Sequence, residues 1–477
     1  MAHLPGDADL KVLLVNPPAY LGVSQVREGR CMQRAGAWTS VWPPLSLALT
    51  AAVLRRSGHQ VKLHDCIVEK ISRPRLMQLA KEYAPDWCLF NSATPSIAGD
   101  METVDETVQA LPNCRTAVFG IHPTALPEET FGLSRGLDVI IKGEPEQTAM
   151  ELVTAEKFDG VSGISYRLQG KVFHNPSRAA MEDLDSLPFP AWDLIDKDLY
   201  KLPLSDQPFL LLATNRGCPF NCRFCADHVY YGKKLRKFSP KRIVDEIEHD
   251  IKQAGVNQFL FWAESFTLDR DHALSVADEI ISRKLNIGWV CNSRVDQVDP
   301  EMLERFKKAG CWMIGFGVES GSQRMLDLMA KGTTVGQTRK AVAMAQKAGL
   351  QITAHVMFGY PGETREDLRT TLDLAKELDF DFAQFYSAVP FPGSELYTQA
   401  NNKGWITNRD WRFFEQNYSV IKTSELDPAE VEAFRSRAFR EFYLRPGQIL
   451  KTIRSLKTPA AWKQAIRALW GFRDWAG

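Results

Sequence analysis

The sequence predicts an α/β protein with three parts: a doubly wound, Rossmann-like unit, a partial (β/α)6 TIM-like barrel, and a helical C-terminal region. Two observations lead to this prediction. Short apolar runs alternate with amphipathic segments in two separate stretches of chain, and loops with polar residues follow the runs. We expect the first unit at 9–160, a hairpin and linker at 161–204, the barrel at 205–400 and the helical basic region at 401–477.

The first unit contains five apolar runs that are typical of buried parallel strands. These runs are KVLLVNPP, QVKLHD, WCLFNSAT, RTAVFGIHP and DVIIKGEPE. Apolar residues at helical spacing lie between them in PPLSLALTAAVLRRSGH, RPRLMQLAKEY and DMETVDETVQAL. Ligands of such folds bind beyond the carboxyl ends of the strands. None of the loops at that edge has the G-x-G-x-x-G pattern, which argues against a nicotinamide cofactor.

The strand–helix alternation resumes near residue 208, after a hairpin (ISYRLQGKVFHNP) and a proline-rich acidic linker. Ser239-Pro240, Asp299-Pro300 and Thr364 with Asp367 predict helix starts between the later strands. Chemistry in barrels of this kind gathers at the loops that follow the strands. The six predicted barrel strands are PFLLLATN, QFLFWAES, IGWVCNSR, WMIGFGVES, QITAHVMFG and FAQFYSAVP.

Composition excludes several classes of protein. The 58 Lys and Arg residues balance the 58 Asp and Glu residues, so no global field favours nucleic acid. The start, MAHLPGDADL, lacks the basic and apolar regions of a signal peptide, and no apolar stretch has the length of a membrane span. The nine cysteines do not form a secreted disulfide pattern, so we expect a reduced, cytoplasmic setting.

Three of the cysteines, Cys218, Cys222 and Cys225, lie within eight positions of RGCPFNCRFC, directly after the first barrel strand. Soft thiolate ligands at this spacing select an iron–sulfur cluster or zinc. A structural zinc site would need a fourth ligand, for which His228 is the only nearby candidate. The position at a barrel loop argues against a zinc knuckle, and reactive or incidental thiols are a third interpretation.

Charged or polar residues emerge from otherwise apolar barrel strands, where they are costly unless they are paired or contact a ligand. One alternative is a buried ion pair between Arg294 and Glu319, and another is a core role for His355. Cys291 and Cys311 are each isolated in the sequence, and we expect both to be buried thiols that act as small hydrophobes. The strand residues concerned are Glu264, Arg294, Glu319 and His355.

The stretch CPFNCRFC resembles the C-x3-C-x2-C signature of radical S-adenosylmethionine (radical SAM) enzymes, including the aromatic residue before the third cysteine. The resemblance covers about residues 205–400. It implies that the three thiolates hold a 4Fe–4S cluster whose fourth iron binds S-adenosylmethionine, and that a flavodoxin- or ferredoxin-type donor reduces it. The residues that the resemblance places near S-adenosylmethionine are Phe224, Glu264, Arg294, Glu319 and His355.

Upstream of the barrel, the chain resembles the cobalamin-binding subfamily of these enzymes. The resemblance rests on WPPLSLALTAAVLRRSGHQVKLHD, GIHPTALPEE and KGEPEQT, and it implies that Gly120, His122, Pro123 and Thr124 contact the corrin. The D-x-H-x-x-G motif that supplies a histidine to cobalt in other cobalamin proteins is missing. The lower axial ligand of cobalt therefore stays open, and a histidine that only packs is the alternative for His122.

The two resemblances together imply a methyltransferase that uses methylcobalamin and a 5′-deoxyadenosyl radical to methylate an unactivated carbon of a small-molecule substrate, with a phosphorus centre as the alternative. Relatives with both domains also include oxidative cyclases and ring-rearranging enzymes of tetrapyrrole or polycyclic lipid biosynthesis. A non-catalytic cobalamin-binding sensor is the alternative from another class.

The C-terminal residues 431–477 contain ten Lys or Arg and three Asp or Glu residues, a net charge of +7, with seven interleaved Phe and Trp residues. The simplest interpretation is the basic face of a packing helix. Contact with anionic lipid, a negatively charged substrate or an anionic partner is the alternative, and it would make this region a site of peripheral membrane contact.

Overall fold

The computed structural model describes residues 9–28, 41–202, 205–455 and 462. These residues form two compact units. The first unit comprises residues 9–28, 41–200 and 226–232, and the second comprises 201–202, 205–225 and 233–455.

The first unit has the alternation of strands and helices that the sequence predicts. Helix α2 begins and ends at the two ends of RPRLMQLAKEY, with a proline in its first turn. The elements are β1 (Lys11–Asn16), α1 (Leu45–Arg56), β2 (Gln60–Asp65), α2 (Arg73–Tyr83), β3 (Trp87–Asn91), α3 (Ile97–Ala110), β4 (Arg115–Phe119), α4 (Ile121–Ala125), α5 (Pro127–Leu133), β5 (Val139–Ile141), α6 (Pro145–Thr154), β6 (Ile164–Leu168) and β7 (Lys171–His174).

The strands of this unit form one sheet in the order β2-β1-β3-β4-β5-β6-β7. Strands β1 to β5 are parallel, and the order of these strands is that of a doubly wound fold whose direction of winding reverses between β1 and β3. The Rossmann-like prediction is therefore confirmed.

The hairpin that the sequence analysis assigns to a separate segment extends this same sheet. Strand β6 pairs antiparallel with β5, with Val139 opposite Tyr166, and β7 pairs with β6. Strand β5 would otherwise leave the N–H and C=O groups of an edge unpaired, and the hairpin satisfies them. The exact boundaries of the four ranges stay a prediction.

A buried ion pair lies where the winding reverses. The Arg27 guanidinium is 2.6 Å from the Asp100 carboxylate, and the two side chains are 1% and 0% exposed. Arg27 also donates to Asn16 Oδ1 at 3.0 Å, and Ser92 Oγ donates to Asp100 Oδ2 at 2.7 Å. Asn16 ends β1 and Ser92 follows β3, so this pair ties the ends of the two central strands together.

The second unit contains the barrel strands and the C-terminal helices. Its elements are β8 (Leu210–Ala213), β9 (Asn215–Arg216), β10 (Arg236–Lys237), α7 (Pro240–Ala254), β11 (Gln258–Trp262), α8 (Arg270–Ser282), β12 (Gly288–Ser293), α9 (Pro300–Lys308), β13 (Cys311–Glu319), α10 (Gln323–Leu328), α11 (Val335–Lys347), β14 (Gln351–Phe358), α12 (Arg365–Glu377), β15 (Phe382–Ser387), α13 (Glu395–Asn402), α14 (Pro428–Tyr443) and α15 (Pro446–Ser455).

Six of these strands form a parallel sheet in the order β15-β14-β13-β12-β11-β8, in which β8 and β15 are the edges. This open arrangement confirms the partial (β/α)6 barrel. The predicted helix starts are also confirmed. Ser239 Oγ accepts a hydrogen bond from the Arg242 N–H at 3.2 Å, and Thr364 forms a reciprocal capping box with Asp367.

The C-terminal region is only partly helical. Residues 403–427 are largely irregular, with one isolated bridge between Ile406 and Ile421, and helices α14 and α15 follow. Most of the basic stretch beyond 455 lies outside the described residues. Among the helices that the structure describes, none combines the length and the apolar character needed to span a membrane.

We expect Asp100→Ala to destabilise the protein by about 3–5 kcal/mol, because it leaves the Arg27 charge buried without a partner. The exposed pair Arg55–Asp193 is a matched control, and Asp193→Ala should cost at most about 1 kcal/mol. Urea unfolding of the two full-length variants, followed by circular dichroism, measures both values. Equal costs would contradict the structural role of the Arg27–Asp100 pair.

Candidate active site

The three clustered cysteines lie in one loop at the carboxyl end of β8. Cys218, Cys222 and Cys225 are half-buried, and none of the eight cysteines among the described residues forms a disulfide. A two-stranded ribbon, in which Arg216 of β9 pairs with Arg236 of β10, encloses the segment that carries them. This ribbon is not predicted from the sequence, because strands of two residues are too short to show an alternation of apolar and polar residues.

The cysteine loop is anchored from two sides of the barrel unit. The Arg223 N–H donates to the Met329 carbonyl at 3.0 Å, just beyond α10, and the Arg223 carbonyl accepts from the Leu396 N–H at 2.8 Å in α13. The Arg223 side chain also donates to the Leu328 carbonyl at 3.1 Å. These hydrogen bonds fix the backbone midway between the second and third cysteines.

The donor set fits an iron–sulfur cluster. Three cysteines without a disulfide, on one anchored loop, supply the soft thiolate ligands that such clusters use. Across residues 9–28, 41–202 and 205–455, no three His, Cys, Asp or Glu side chains converge as the ligands of one metal ion do. Cysteines of a 4Fe–4S cluster each bind a different iron, so they need not converge on one point.

Arg294 directly follows β12 and is 5% exposed. Its guanidinium lies 3.6 Å from the ring centroid of Phe220 in the cysteine loop, and its Nη1 is 4.0 Å from Cys222 Sγ. Asp296 accepts from Nε at 2.9 Å and from Nη2 at 3.0 Å, and the Lys331 carbonyl accepts from Nη2 at 2.8 Å. Asp296 is not among the predicted site residues, although an acid two residues after an arginine at a strand end is a usable sequence signal.

Glu319 pairs with Lys331 instead of Arg294, at 2.6 Å between Nζ and Oε1. The alternative of an Arg294–Glu319 ion pair is therefore wrong, because each side chain has a different partner. Glu319 ends β13 after an irregularity in its pairing with β14, and its φ is +60°. A left-handed conformation is costly for a residue with a Cβ and is often found at functional sites. Lys331 is not predicted as a site residue, because its loop lacks the regular residue spacing of a helix or a strand.

A polar group on β12, β14 and β15 surrounds a glycine of the intervening strand. His355 Nε2 lies 3.4 Å from Asn292 Oδ1, and its Nδ1 lies 3.4 Å from the Tyr386 hydroxyl, which donates to Gln384 Oε1 at 3.1 Å. A Cβ at Gly315 would lie 2.4 Å from Asn292 Oδ1 and 3.0 Å from His355 Nε2. The two side chains can meet across β13 because Gly315 has no side chain.

Two further predicted site residues are Phe224 and Glu264. Phe224 is half-buried, and the Lys331 ammonium is 5.9 Å from its ring centroid. Glu264 is half-buried and lies two residues beyond β11. The resemblance assigned both residues to S-adenosylmethionine, and that assignment stays a prediction.

Cys291 and Cys311 are both buried, as expected, but they are not isolated from each other. Burial, together with a hydrogen bond to the Cys311 thiol, raises the pKa of Cys291 well above its usual range. The adjacent strands β12 and β13 bring together two cysteines that are twenty positions apart in the chain.

The four residues assigned to the corrin follow β4 in the first unit. Gly120 has a φ of +137°, and a Cβ there would lie 2.0 Å from the Ser92 carbonyl oxygen, so only glycine fits. His122 and Pro123 are buried in the short helix α4. Burial lowers the pKa of His122 to about 3, so its imidazole is neutral. Thr124 Oγ1 donates to the Gly120 carbonyl at 2.7 Å.

The same edge has a feature that suits a large polar ligand such as cobalamin. The Thr94 hydroxyl, three residues beyond β3, is fully buried and has no hydrogen-bond partner among the described residues. Buried hydroxyls are normally satisfied, and an unsatisfied one needs an explanation. At the same edge, Gly120 presents backbone without a side chain. The Thr94 hydroxyl and this bare backbone together fit a ligand that carries amide groups.

Comparison with known proteins identifies the family. Residues 212–375 match the radical SAM superfamily, and residues 35–153 match the B12 binding domain. An uncharacterised methyltransferase of Pyrococcus horikoshii is 32% identical over 93% of this chain and 95% of its own length. The chain belongs to the cobalamin-binding radical SAM enzymes. Its cofactors are accordingly a 4Fe–4S cluster, S-adenosylmethionine and cobalamin.

Two further matches agree with this family. The anaerobic magnesium-protoporphyrin IX monomethyl ester cyclase of Rubrivivax gelatinosus is 28% identical over 91% of this chain and 78% of its own length. The solved structure of the cobalamin-dependent radical enzyme OxsB, with aqua-cobalamin and S-adenosylmethionine bound, matches with a TM-score of 0.74. The match has 18% sequence identity and covers 98% of this chain and 72% of the OxsB chain. At that identity the structural match supports the fold alone.

We expect Gly315→Ala to leave the enzyme folded and to slow reductive cleavage of S-adenosylmethionine by about 10–100-fold, because a Cβ there displaces Asn292 and His355. Anaerobic formation of 5′-deoxyadenosine and the thermal midpoint are the measurements. The control is Gly336→Ala, where the nearest atom to a Cβ is 3.7 Å away. That change should keep the cleavage rate and stabilise α11 by about 0.5–1 kcal/mol. Wild-type cleavage by Gly315→Ala would exclude a role for the polar group.

Proposed function

We propose that this enzyme transfers a methyl group to an unactivated carbon of a small-molecule substrate. One observation above all supports the proposal: three cysteines without a disulfide on an anchored barrel loop and a B12-binding region occur in the same chain. The relative from Pyrococcus horikoshii, which is named a methyltransferase, matches nearly end to end. When bound, the cluster and S-adenosylmethionine supply a 5′-deoxyadenosyl radical, and cobalamin supplies the methyl group.

Within this proposal each residue set has one task. Cys218, Cys222 and Cys225 hold the cluster. Four residues bind S-adenosylmethionine: Phe224, Glu264, Glu319 and His355. The ion pair with Lys331 keeps Glu319 in place. The residues that contact the corrin are Gly120, His122, Pro123 and Thr124.

The barrel strands restrict the kind of substrate group that can lie against them. Strands β11 to β15 contain no Lys or Arg, and the polar side chains of the group around Gly315 are an imidazole, a phenol and two carboxamides. An anionic group placed there would be desolvated without a counter-charge, which is unfavourable. We therefore expect the part of the substrate that contacts these strands to be uncharged.

An oxidative cyclase is the second candidate, because the cyclase of Rubrivivax gelatinosus matches over most of both chains. The ring-rearranging alternative has no comparable support. The non-catalytic sensor is excluded, since the chain belongs to a family of enzymes.

Replacing Cys218, Cys222 and Cys225 together by alanine should remove the cluster and abolish formation of 5′-deoxyadenosine under strong reductant. Cys311→Ala, which changes a thiol outside the loop, should keep its iron content. In the wild type, reconstituted with cobalamin, a methyltransferase should form methylcobalamin and S-adenosylhomocysteine from S-adenosylmethionine. Cleavage without either product would favour the cyclase, and cleavage by the triple variant would refute the assignment of the cluster ligands.

A flavodoxin- or ferredoxin-type protein is proposed to supply the electron, and the cytoplasmic location stays a prediction from the sequence.

An anionic membrane is the other proposed partner, and helix α15 carries the observations that bear on it. Gln448 is buried there and donates to the Asp381 carbonyl at 2.5 Å, whereas Ile449, Leu450 and Ile453 are 43%, 48% and 45% exposed.

This exposed apolar face supports peripheral contact with an anionic membrane. The face lies opposite Gln448 on the helix, so the barrel does not cover it. The sequence from 431 onward carries a net charge of +7, and Leu444 and Trp462 are 59% and 45% exposed. Apolar side chains next to basic ones favour the surface of an anionic bilayer.

The protein should therefore bind phosphatidylglycerol-containing vesicles and release them as salt rises, but it should not bind pure phosphatidylcholine vesicles. The double change Ile449→Ser with Ile453→Ser should weaken sedimentation with the anionic vesicles. Leu168→Ser, at a residue 54% exposed in the hairpin of the first unit, is the matched control. Equal sedimentation of the two variants would show that α15 is not the contact.

A further inference from the structure

We infer that Arg294 is a positioning residue of the cysteine loop and that its positive charge raises the reduction potential of the cluster. This inference rests on the proposal that Cys218, Cys222 and Cys225 hold the cluster. It gives Arg294 a task different from the one that the resemblance implies, which is contact with S-adenosylmethionine.

The contacts of the guanidinium determine its position. Four of its five N–H groups are engaged: two with Asp296, one with the Lys331 carbonyl and one directed at Cys222 Sγ. Its central carbon lies 3.6 Å from the ring centroid of Phe220, which lies between the first two cysteines of the motif. Arg294 therefore touches the cysteine loop through a ring and a thiol, while Asp296 and the Lys331 carbonyl hold the rest of the side chain.

This arrangement leaves little freedom for a carboxylate clamp. A bidentate clamp on the carboxylate of S-adenosylmethionine needs two parallel N–H groups of the guanidinium. Asp296 already occupies the pair on Nε and Nη2. The second N–H of Nη2 is engaged by the Lys331 carbonyl, so the remaining pair on Nη1 and Nη2 is not open either. A bidentate clamp would therefore require Arg294 to give up Asp296 or the Lys331 carbonyl, although the Arg294 and Asp296 side chains are largely buried, at 6% and 13% exposed.

The same geometry predicts an electrostatic effect on the cluster. Reduction adds one negative charge to the cluster, and an N–H donor or a positive charge near a ligating sulfur stabilises the reduced form. The separation of 4.0 Å between Nη1 and Cys222 Sγ is long for a hydrogen bond but short for a charge interaction. The Asp296 carboxylate has the opposite sign, so it opposes this effect while it orients the guanidinium.

The decisive experiment is an anaerobic redox titration of the reconstituted full-length enzyme. Titanium(III) citrate supplies one electron per cluster, and the electron paramagnetic resonance signal of the reduced cluster is recorded without S-adenosylmethionine. For Arg294→Met we expect a ratio of reduced to oxidised cluster about tenfold lower at any fixed potential, which is a shift of about 59 mV for one electron. Arg294→Lys, which keeps the charge, should shift less. Asp296→Asn should shift the potential in the opposite direction.

The matched control is Arg305→Met, which removes the same charge from a partly exposed side chain near the end of α9 and should leave the potential unchanged. An unchanged potential in Arg294→Met, with weaker S-adenosylmethionine binding in equilibrium dialysis, would overturn the inference in favour of a clamp. Shifts of the same sign in Arg294→Met and Asp296→Asn would also overturn it, because a merely structural loss has no sign dependence on charge.

Loss of iron from Arg294→Met would support its role in positioning the loop, and the electrostatic part would then be decided by Arg294→Lys and Asp296→Asn. Failure of this inference is distinguishable from failure of the proposed function. A wild-type protein that gives no cluster signal refutes the cluster itself. A normal wild-type signal whose potential does not respond to either charge change refutes only the role of Arg294.

Discussion

The parallel direction of the strands is the constraint on which both units depend. Because parallel strands end at the same edge of a sheet, residues that are far apart in sequence become neighbours there. In the first unit this edge carries Asn16, Ser92 and Gly120 at the ends of β1, β3 and β4. In the barrel it carries the cysteine loop after β8 and Arg294 after β12, which are about seventy residues apart yet in contact.

Burial of charge imposes the second constraint, since an unpaired buried charge is not tolerated. The pairs Arg27–Asp100, Arg294–Asp296 and Lys331–Glu319 meet this requirement. The first and third pairs join separate elements, and the second lies within the loop after β12. In the barrel the two pairs are linked, because the Lys331 backbone carbonyl accepts from Arg294 while the Lys331 side chain pairs with Glu319. The backbone of one loop thereby connects the support of the cysteine loop to the end of β13.

Two glycines, which have no side chain, shape the sites as much as the charged side chains do. Gly315 leaves the space in which Asn292 and His355 meet across β13, and Gly120 allows the chain after β4 to pass against the Ser92 carbonyl. Neither glycine was predicted from its neighbours in sequence to have a packing role. The close atoms belong to other strands, so the need for glycine becomes visible only when the sheet is formed.

The sequence by itself determined the two α/β units, the helix starts at Ser239, Asp299 and Thr364, and the cysteine motif, because these depend on period, capping and spacing within a few residues. Only the tertiary structure decided that Glu319 pairs with Lys331, that Arg27 pairs with Asp100, that the hairpin joins the first sheet and that Cys291 meets Cys311. Each of these depends on strand order and register, which place residues from distant parts of the chain side by side. The sequence around a residue carries no information about which distant residue will lie beside it.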